Sequence, residues 1–176
     1  MVFVYPSACL NGLILKKIDV FLKPPYATSL LLGSDIHLFL ARYGKPDVIQ
    51  GAQYLYYKGV DLSVVHQGSA SRVNTILITG NGTWNADQAK AACTPFIPQD
   101  AHSQRTYSST SKSNGIAYTE TSYLSPSLAQ QLPADVFLNA SAQPEAPGMF
   151  TMGLGHHKGS TNQFDDCYVS TSLVIL

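Results

Sequence analysis

His156 and His157 stand side by side, and together with His102 they are the residues of this chain best suited to metal chemistry. Imidazole nitrogens are common ligands of zinc and other transition metals. Successive side chains of a strand point to opposite faces, so both neighbours can bind one ion only in a distorted loop. Neither the HExxH nor the paired CxxC spacing of known zinc sites is present. We therefore predict no metal or other cofactor; the alternative is a small metal-dependent or hydrolytic enzyme built on these three histidines.

The cysteines indicate an oxidised, exported protein. Cys93 and Cys167 both fall in segments that we expect to be folded, and we predict a disulfide between them. Such a bond needs an oxidising compartment, which places the chain outside the cell or in a bacterial cell envelope. Cys9 is left over and has two interpretations: a lipid anchor, if it belongs to a truncated signal, or an incidental free thiol, which we favour.

Composition and charge exclude two kinds of partner. Charged residues make up 12% of the chain and the formal net charge is +0, so no overall field attracts nucleic acid. Abundant Ser, Thr, Asn, Gln, Gly and Tyr are more typical of secreted or surface proteins than of cytosolic enzymes. Prolines and polar residues interrupt the apolar run 20–40, so we predict no membrane span. The expected partner is another protein or an envelope component.

Residues 33–82 predict one helix followed by a three-stranded antiparallel meander. Ser34 is the expected N-cap of a helix over 35–43, and Gly44 suits the left-handed position just past its end. Aromatic or alternating runs predict the three strands, at 54–57, 60–64 and 73–79. Residues 1–32 form no clear element, and we describe them as a poorly specified N-terminal arm.

Two further helices are predicted in the second half of the chain. The first covers 86–93, with Asn85 or Thr83 as its cap. The second begins where Ser125 is followed by proline, a favourable pair for a cap and a first turn, and it continues to Leu132.

The strands of the second half, 83–176, complete the predicted fold. The polar run 103–114 shows no pattern, so we expect a loop or a long hairpin connection there. A strand is predicted at 118–123, and 148–154 is expected to pair with 167–173 in a closing hairpin. The predicted fold class is α+β, with short helices on one face of one or two small antiparallel sheets. The pattern leaves open whether the two halves share one core.

Five short segments follow one another in residues 33–80: Gly33-Ser34-Asp35-Ile36, Tyr43-Gly44-Lys45-Pro46-Asp47, Tyr57, Val60-Asp61-Leu62 and Arg72-Val73-Asn74-Thr75-Ile76. In this order they resemble BamE-like (SmpA/OmlA) domains, and the β-lactamase inhibitory protein repeat is similar too. The resemblance implies a short helical segment on a small antiparallel sheet, in an envelope or extracellular protein that binds other proteins and has no catalytic residues. The chain departs from the family by lacking a clean lipobox and by adding a long second half.

Three tyrosines form the predicted binding surface. Tyr54 and Tyr56 alternate onto one face of their strand, and Tyr57 points to the other. Tyrosine supplies a large amphipathic contact area at low entropic cost, but one of these faces must pack on the helix. We therefore expect a non-catalytic, exported or cell-envelope protein that binds a protein or serves a structural role through the exposed part of this cluster.

Overall fold

The α-helices among the described residues are short, and each begins at a capping side chain. The computed structural model describes residues 30–56, 59–111, 115–139 and 141–172, with the backbone alone for 81–83. Its α-helices are α1 (Ile36–Tyr43), α2 (Ala86–Cys93) and α3 (Pro126–Gln131), and short 3-10 turns follow at Thr94–Phe96 and Ala134–Val136. Asn85 caps α2 in a reciprocal box with Gln88, and Ser125 caps α3.

The cap of α1 differs from the prediction by one residue. Asp35, not Ser34, is the N-cap: its carboxylate accepts the backbone N–H of His37 at 2.9 Å. The hydroxyl of Ser34 instead accepts the backbone N–H of Leu31. The helix ends as predicted at Gly44, whose φ of 82° is easy only for glycine.

Eight strands make up most of the regular secondary structure of the described residues. They are β1 (Val48–Gln50), β2 (Gln53–Tyr56), β3 (Val60–Gln67), β4 (Ala70–Trp84), β5 (His102–Thr110), β6 (Ala117–Leu124), β7 (Met149–His156) and β8 (Phe164–Ser170). All neighbours are antiparallel, in the order β1-β2-β3-β4-β8-β7-β6-β5. The predicted hairpin near the end of the chain is the β7–β8 pair.

The predicted α+β fold class is wrong, because the structure is mainly β. One 8-stranded antiparallel sheet replaces the small helix-covered sheets, and it continues from β4 to β8 across the two halves of the sequence. The largest local error concerns the loop or long hairpin connection expected at 103–114, because residues 103–110 belong to β5. Nearly all side chains of β5 are exposed, so the strand has no buried face to produce an alternating pattern.

The helices pack on one face of the sheet, which we call the helix face. A row of cross-strand neighbours there consists of Leu62, Ile76, Val169 and Met152, all almost fully buried. Phe39 of α1 is buried in the same core. Burying such side chains is the main stabilising term of the fold, about 1.5–3 kcal/mol each. None of the helices among the described residues is long and apolar enough to cross a membrane.

The predicted disulfide is confirmed. Cys93, the last residue of α2, is bonded to Cys167 in β8, with 6.1 Å between the Cα atoms. Both cysteines are completely buried. The bond therefore ties the helix layer to a central strand of the sheet.

Candidate functional site

The face of the sheet opposite the helices is polar, yet much of it is buried. We call it the polar face. Because side chains alternate along a strand, Tyr168 lies here while its neighbours Cys167 and Val169 face the helices. Three rows of cross-strand neighbours cross it from β4 to β5: Thr75, Ser170, Thr151, Ser122 and Arg105; Leu77, Tyr168, Gly153, Glu120 and Tyr107; Thr79, Asp166, Gly155, Tyr118 and Ser109.

Two glycines in β7 make room for larger side chains from the neighbouring strands. A Cβ atom on Gly153 would collide with the Tyr168 ring. One on Gly155 would collide with the carboxyl group of Asp166 and approach the Tyr118 ring. The Tyr168 side chain can therefore lie across β7 and reach β6, two strands away.

The carboxylate of Glu120 is the centre of the polar face. It is only 5% exposed and accepts a hydrogen bond from the hydroxyl of Tyr168, which is itself 1% exposed. Tyr107 bonds to the same carboxyl group and to Thr151 from the other side. Burial, and then the bond to Glu120, raise the pKa of Tyr168, so its hydroxyl stays protonated and donates. This network links β8, β6 and β5.

At its outer end the network reaches the surface. Burial raises the pKa of Tyr107, and the Glu120 charge acts in the same direction. The guanidinium of Arg105 lies 5.1 Å from the centre of the Tyr107 ring, a cation–π contact. Because the Glu120 carboxylate is already bonded to two phenols, this network is suited to fixing the position of β5 rather than to accepting a proton from a substrate.

Tyr168→Phe should destabilise the protein by about 2 kcal/mol, because it leaves a buried carboxylate without one of its donors. Urea unfolding of the oxidised protein measures this. Tyr123→Phe is the matched control, since that ring stacks on Phe150 on the helix face, away from Glu120. Equal stability of the two variants would show that the Tyr168–Glu120 bond contributes nothing.

The two described tyrosines of the predicted binding surface pack against the core. Tyr56 is 7% exposed; its hydroxyl donates to the carbonyl of Gly44 at 3.1 Å and its ring meets that of Tyr43 edge-on. Tyr54 is half-buried against the same core. Tyr57 lies outside the described residues. The described tyrosines of this cluster thus lie on the helix face.

The structure separates the three histidines considered as metal ligands. The side chain of His156 bonds to Thr119 at 2.8 Å, and His157 bonds to Asp165 at 2.8 Å. His102 lies opposite Leu124, at the other end of β7 from His156. At about 3.3 Å per residue, the length of β7 between these two positions is roughly 23 Å. Within the described ranges no group of three His, Cys, Asp or Glu side chains is placed to hold a metal ion.

Sequence reasoning did not find the Glu120 network. The signal was present in 118–123, where Tyr, Glu and Ser alternate with threonines. Tyr118, Glu120 and Ser122 are buried on one face of β6. Judged by polarity alone, a strand face that contains a glutamate is expected to be exposed to solvent. Its partner Tyr168 comes 48 residues later, so only the strand order brings the two together.

Comparisons of the sequence with protein-family models and with curated proteins, and of the fold with solved structures, gave no significant match. The resemblance of residues 33–80 to BamE-like domains therefore stays a prediction.

Proposed function

We propose that this chain is a non-catalytic, exported domain that binds an extended segment of another protein at the open edge strand β5. The observation on which the proposal depends is the difference between the two edges of the sheet. A sheet edge exposes unpaired backbone N–H and C=O groups, and natural proteins usually shorten, charge or cover such edges. Among the residues that the structure describes, one edge is protected in that way and the other is not.

The protected edge is β1. It is only 3 residues long, and Pro46 precedes it by two positions. Lys45 and Asp47 place charges beside that proline. Short length, proline and charge are three common ways of preventing another strand from pairing.

The open edge is β5, which has 9 residues. In the described part of the chain it pairs with β6 alone. Just beyond it, the N–H of Ser111 donates to the carbonyl of Ile116 across the same pairing register. Because backbone groups alternate along an antiparallel strand, the N–H groups of Thr106, Ser108 and Thr110 point away from β6.

The side chains of β5 also favour an added strand. They are almost all exposed and are mostly small hydroxyl groups, and Arg105 is the one Lys, Arg, Asp or Glu in the strand. A bulge between Ser103 and Arg105 interrupts the register at the beginning of β5, which leaves 105–110 as the regular portion. Six residues are enough for strand addition, in which main-chain hydrogen bonds supply affinity and alternate side chains supply specificity.

The disulfide supports the exported location in this proposal. A buried bond between Cys93 and Cys167 is compatible with an oxidising extracellular or envelope compartment. A partner protein in the same compartment would meet the β5 edge directly.

Ser108→Pro tests the proposal, because proline removes one outward N–H and is tolerated on the free side of an edge strand. The matched control is Ser108→Ala, which keeps that N–H. Each immobilised protein is exposed to the secreted and envelope proteins of its source cell, and the retained proteins are quantified. We expect a protein that is retained by the wild type and by Ser108→Ala, and at least tenfold less by Ser108→Pro.

Two checks make the result decisive. Thermal unfolding must show that Ser108→Pro is folded, and a photo-crosslinker introduced at Ser108 must link to the retained protein. Retention that is equal for the two variants would contradict binding at this edge.

A further inference from the structure

Asp166 is partly exposed, but one of its carboxyl oxygens is buried on the polar face without a hydrogen-bond partner. The residue lies on the polar face of β8, between Thr79 of β4 and Gly155 of β7. Its Oδ1 atom is buried and has no hydrogen-bond partner. The glycine beside it leaves space for the carboxyl group, which a Cβ atom at that position would displace. An ionised carboxylate in such a place loses hydration at the buried oxygen, and the backbone N–H of Gly155 compensates this only in part.

Within the described part of the chain, the charged and titratable groups around Asp166 do not compensate its charge. Its chain neighbour Asp165 is a second carboxylate, and Tyr118 faces it across Gly155 from β6. Tyr168, two residues along β8, donates to Glu120, and β4 contributes the neutral Thr79. Burial, and then the Asp165 charge, raise the pKa of Asp166 to about 6, and the backbone N–H of Gly155 opposes this only in part.

We propose that the carboxyl group of Asp166 is a protonation switch, which makes the folded protein more stable in mildly acidic surroundings than at neutral pH. The uncharged acid suits the partly buried position over Gly155 better than the carboxylate does. Asp166 lies near the loop that connects β7 to β8. The N–H of His157 donates to the carbonyl of Gln163 across the base of this loop.

The direction of the effect follows from proton linkage. The folded pKa of Asp166 is raised to about 6 from an ordinary value of 3.8, so the folded state holds the proton more tightly than the unfolded state. The stabilisation is complete below the unfolded pKa and is lost as the pH rises through the folded one. Between about pH 5 and about pH 8, this group alone should raise the unfolding equilibrium constant roughly tenfold.

His157 and Asp165 lie close enough to contribute and must be separated from Asp166. Their side chains are 2.8 Å apart, and a protonated His157 would form an ion pair there. Both are about half exposed, so solvent screens this pair. Asp165→Asn removes the pair and leaves the Asp166 carboxyl group in place, which makes it the matched control.

The test compares urea unfolding of the oxidised wild type, Asp166→Asn and Asp165→Asn at about pH 5 and about pH 8. At each pH, the unfolding constant of the wild type is divided by that of Asp166→Asn, which cancels the contribution of every other titrating group. Comparing this ratio between the two pH values also removes any pH-independent cost of the amide. We expect this ratio to rise about tenfold between the two pH values. The corresponding ratio for Asp165→Asn, which keeps the switch, should change far less.

A direct titration keeps the proposal testable if Asp166→Asn fails to fold. Carbon-13 NMR of the wild-type side-chain carboxyl groups should show Asp166 titrating near pH 6. A midpoint below about pH 4, or an unfolding ratio that is the same at both pH values, would overturn the proposal.

Discussion

Loss of the Cys93–Cys167 bond is expected to lower the free energy of unfolding by about 4 kcal/mol in the variant Cys93→Ala/Cys167→Ala. The two cysteines are 74 positions apart, so the bond closes a long loop and restricts the unfolded chain strongly. It also joins α2 to a central strand in a fully buried position. Urea unfolding of the variant and of the oxidised wild type measures the difference.

Reduction supplies the control for this prediction. A reducing agent should lower the stability of the wild type by a similar amount and leave that of Cys93→Ala/Cys167→Ala unchanged. An unfolding midpoint that is the same for oxidised wild type and variant would show that the bond does not stabilise the fold.

Gly153→Ala should cost about 3 kcal/mol, although it adds a single methyl group. The new Cβ would occupy space that the Tyr168 ring fills, so the ring must move. Moving it breaks the bond to Glu120 and leaves a carboxylate that is 5% exposed without this donor. Urea unfolding of the oxidised variant is the measurement.

A double-mutant cycle identifies the cause of this cost. In a Tyr168→Val background the methyl group at Gly153 has no ring to displace, so Gly153→Ala should cost less than about 1 kcal/mol there. If the cost were the same in both backgrounds, the collision with Tyr168 would not be its source.

Local elements of this fold could be predicted where residue type and position act over a few residues. Gly44 ends α1, Asn85 caps α2 and Ser125 caps α3, because each of these effects depends on neighbouring backbone groups. The pairing of β7 with β8 could also be predicted, because these two strands follow each other in the chain.

The fold class could not be predicted in the same way. Joining β4 to β8 requires strands that are about 80 residues apart in sequence, and local patterns contain no information on that pairing. The exposed strand β5 has no hydrophobic alternation, so its polar composition was interpreted as a loop. A strand can form there because the buried network of Glu120 and Tyr107 holds it against β6.

The candidate site was hidden for a related reason. Tyr54 and Tyr56 belong to the aromatic cluster that we predicted as a binding surface, but their face of β2 packs on the helix layer. The edge that we propose for binding is defined by the order of the eight described strands and by the backbone groups that these strands leave unpaired. Neither property depends on a sequence motif.

The measurement that tests the proposed binding edge most directly is amide hydrogen exchange of the wild-type protein with and without the protein that it retains from its source cell. Strand addition at β5 predicts slower exchange of the outward N–H groups of Thr106, Ser108 and Thr110. The amides of Tyr107 and Ser109, which face β6, should change much less. Unchanged exchange at the three outward positions, with protection elsewhere on the domain, would contradict binding at this edge.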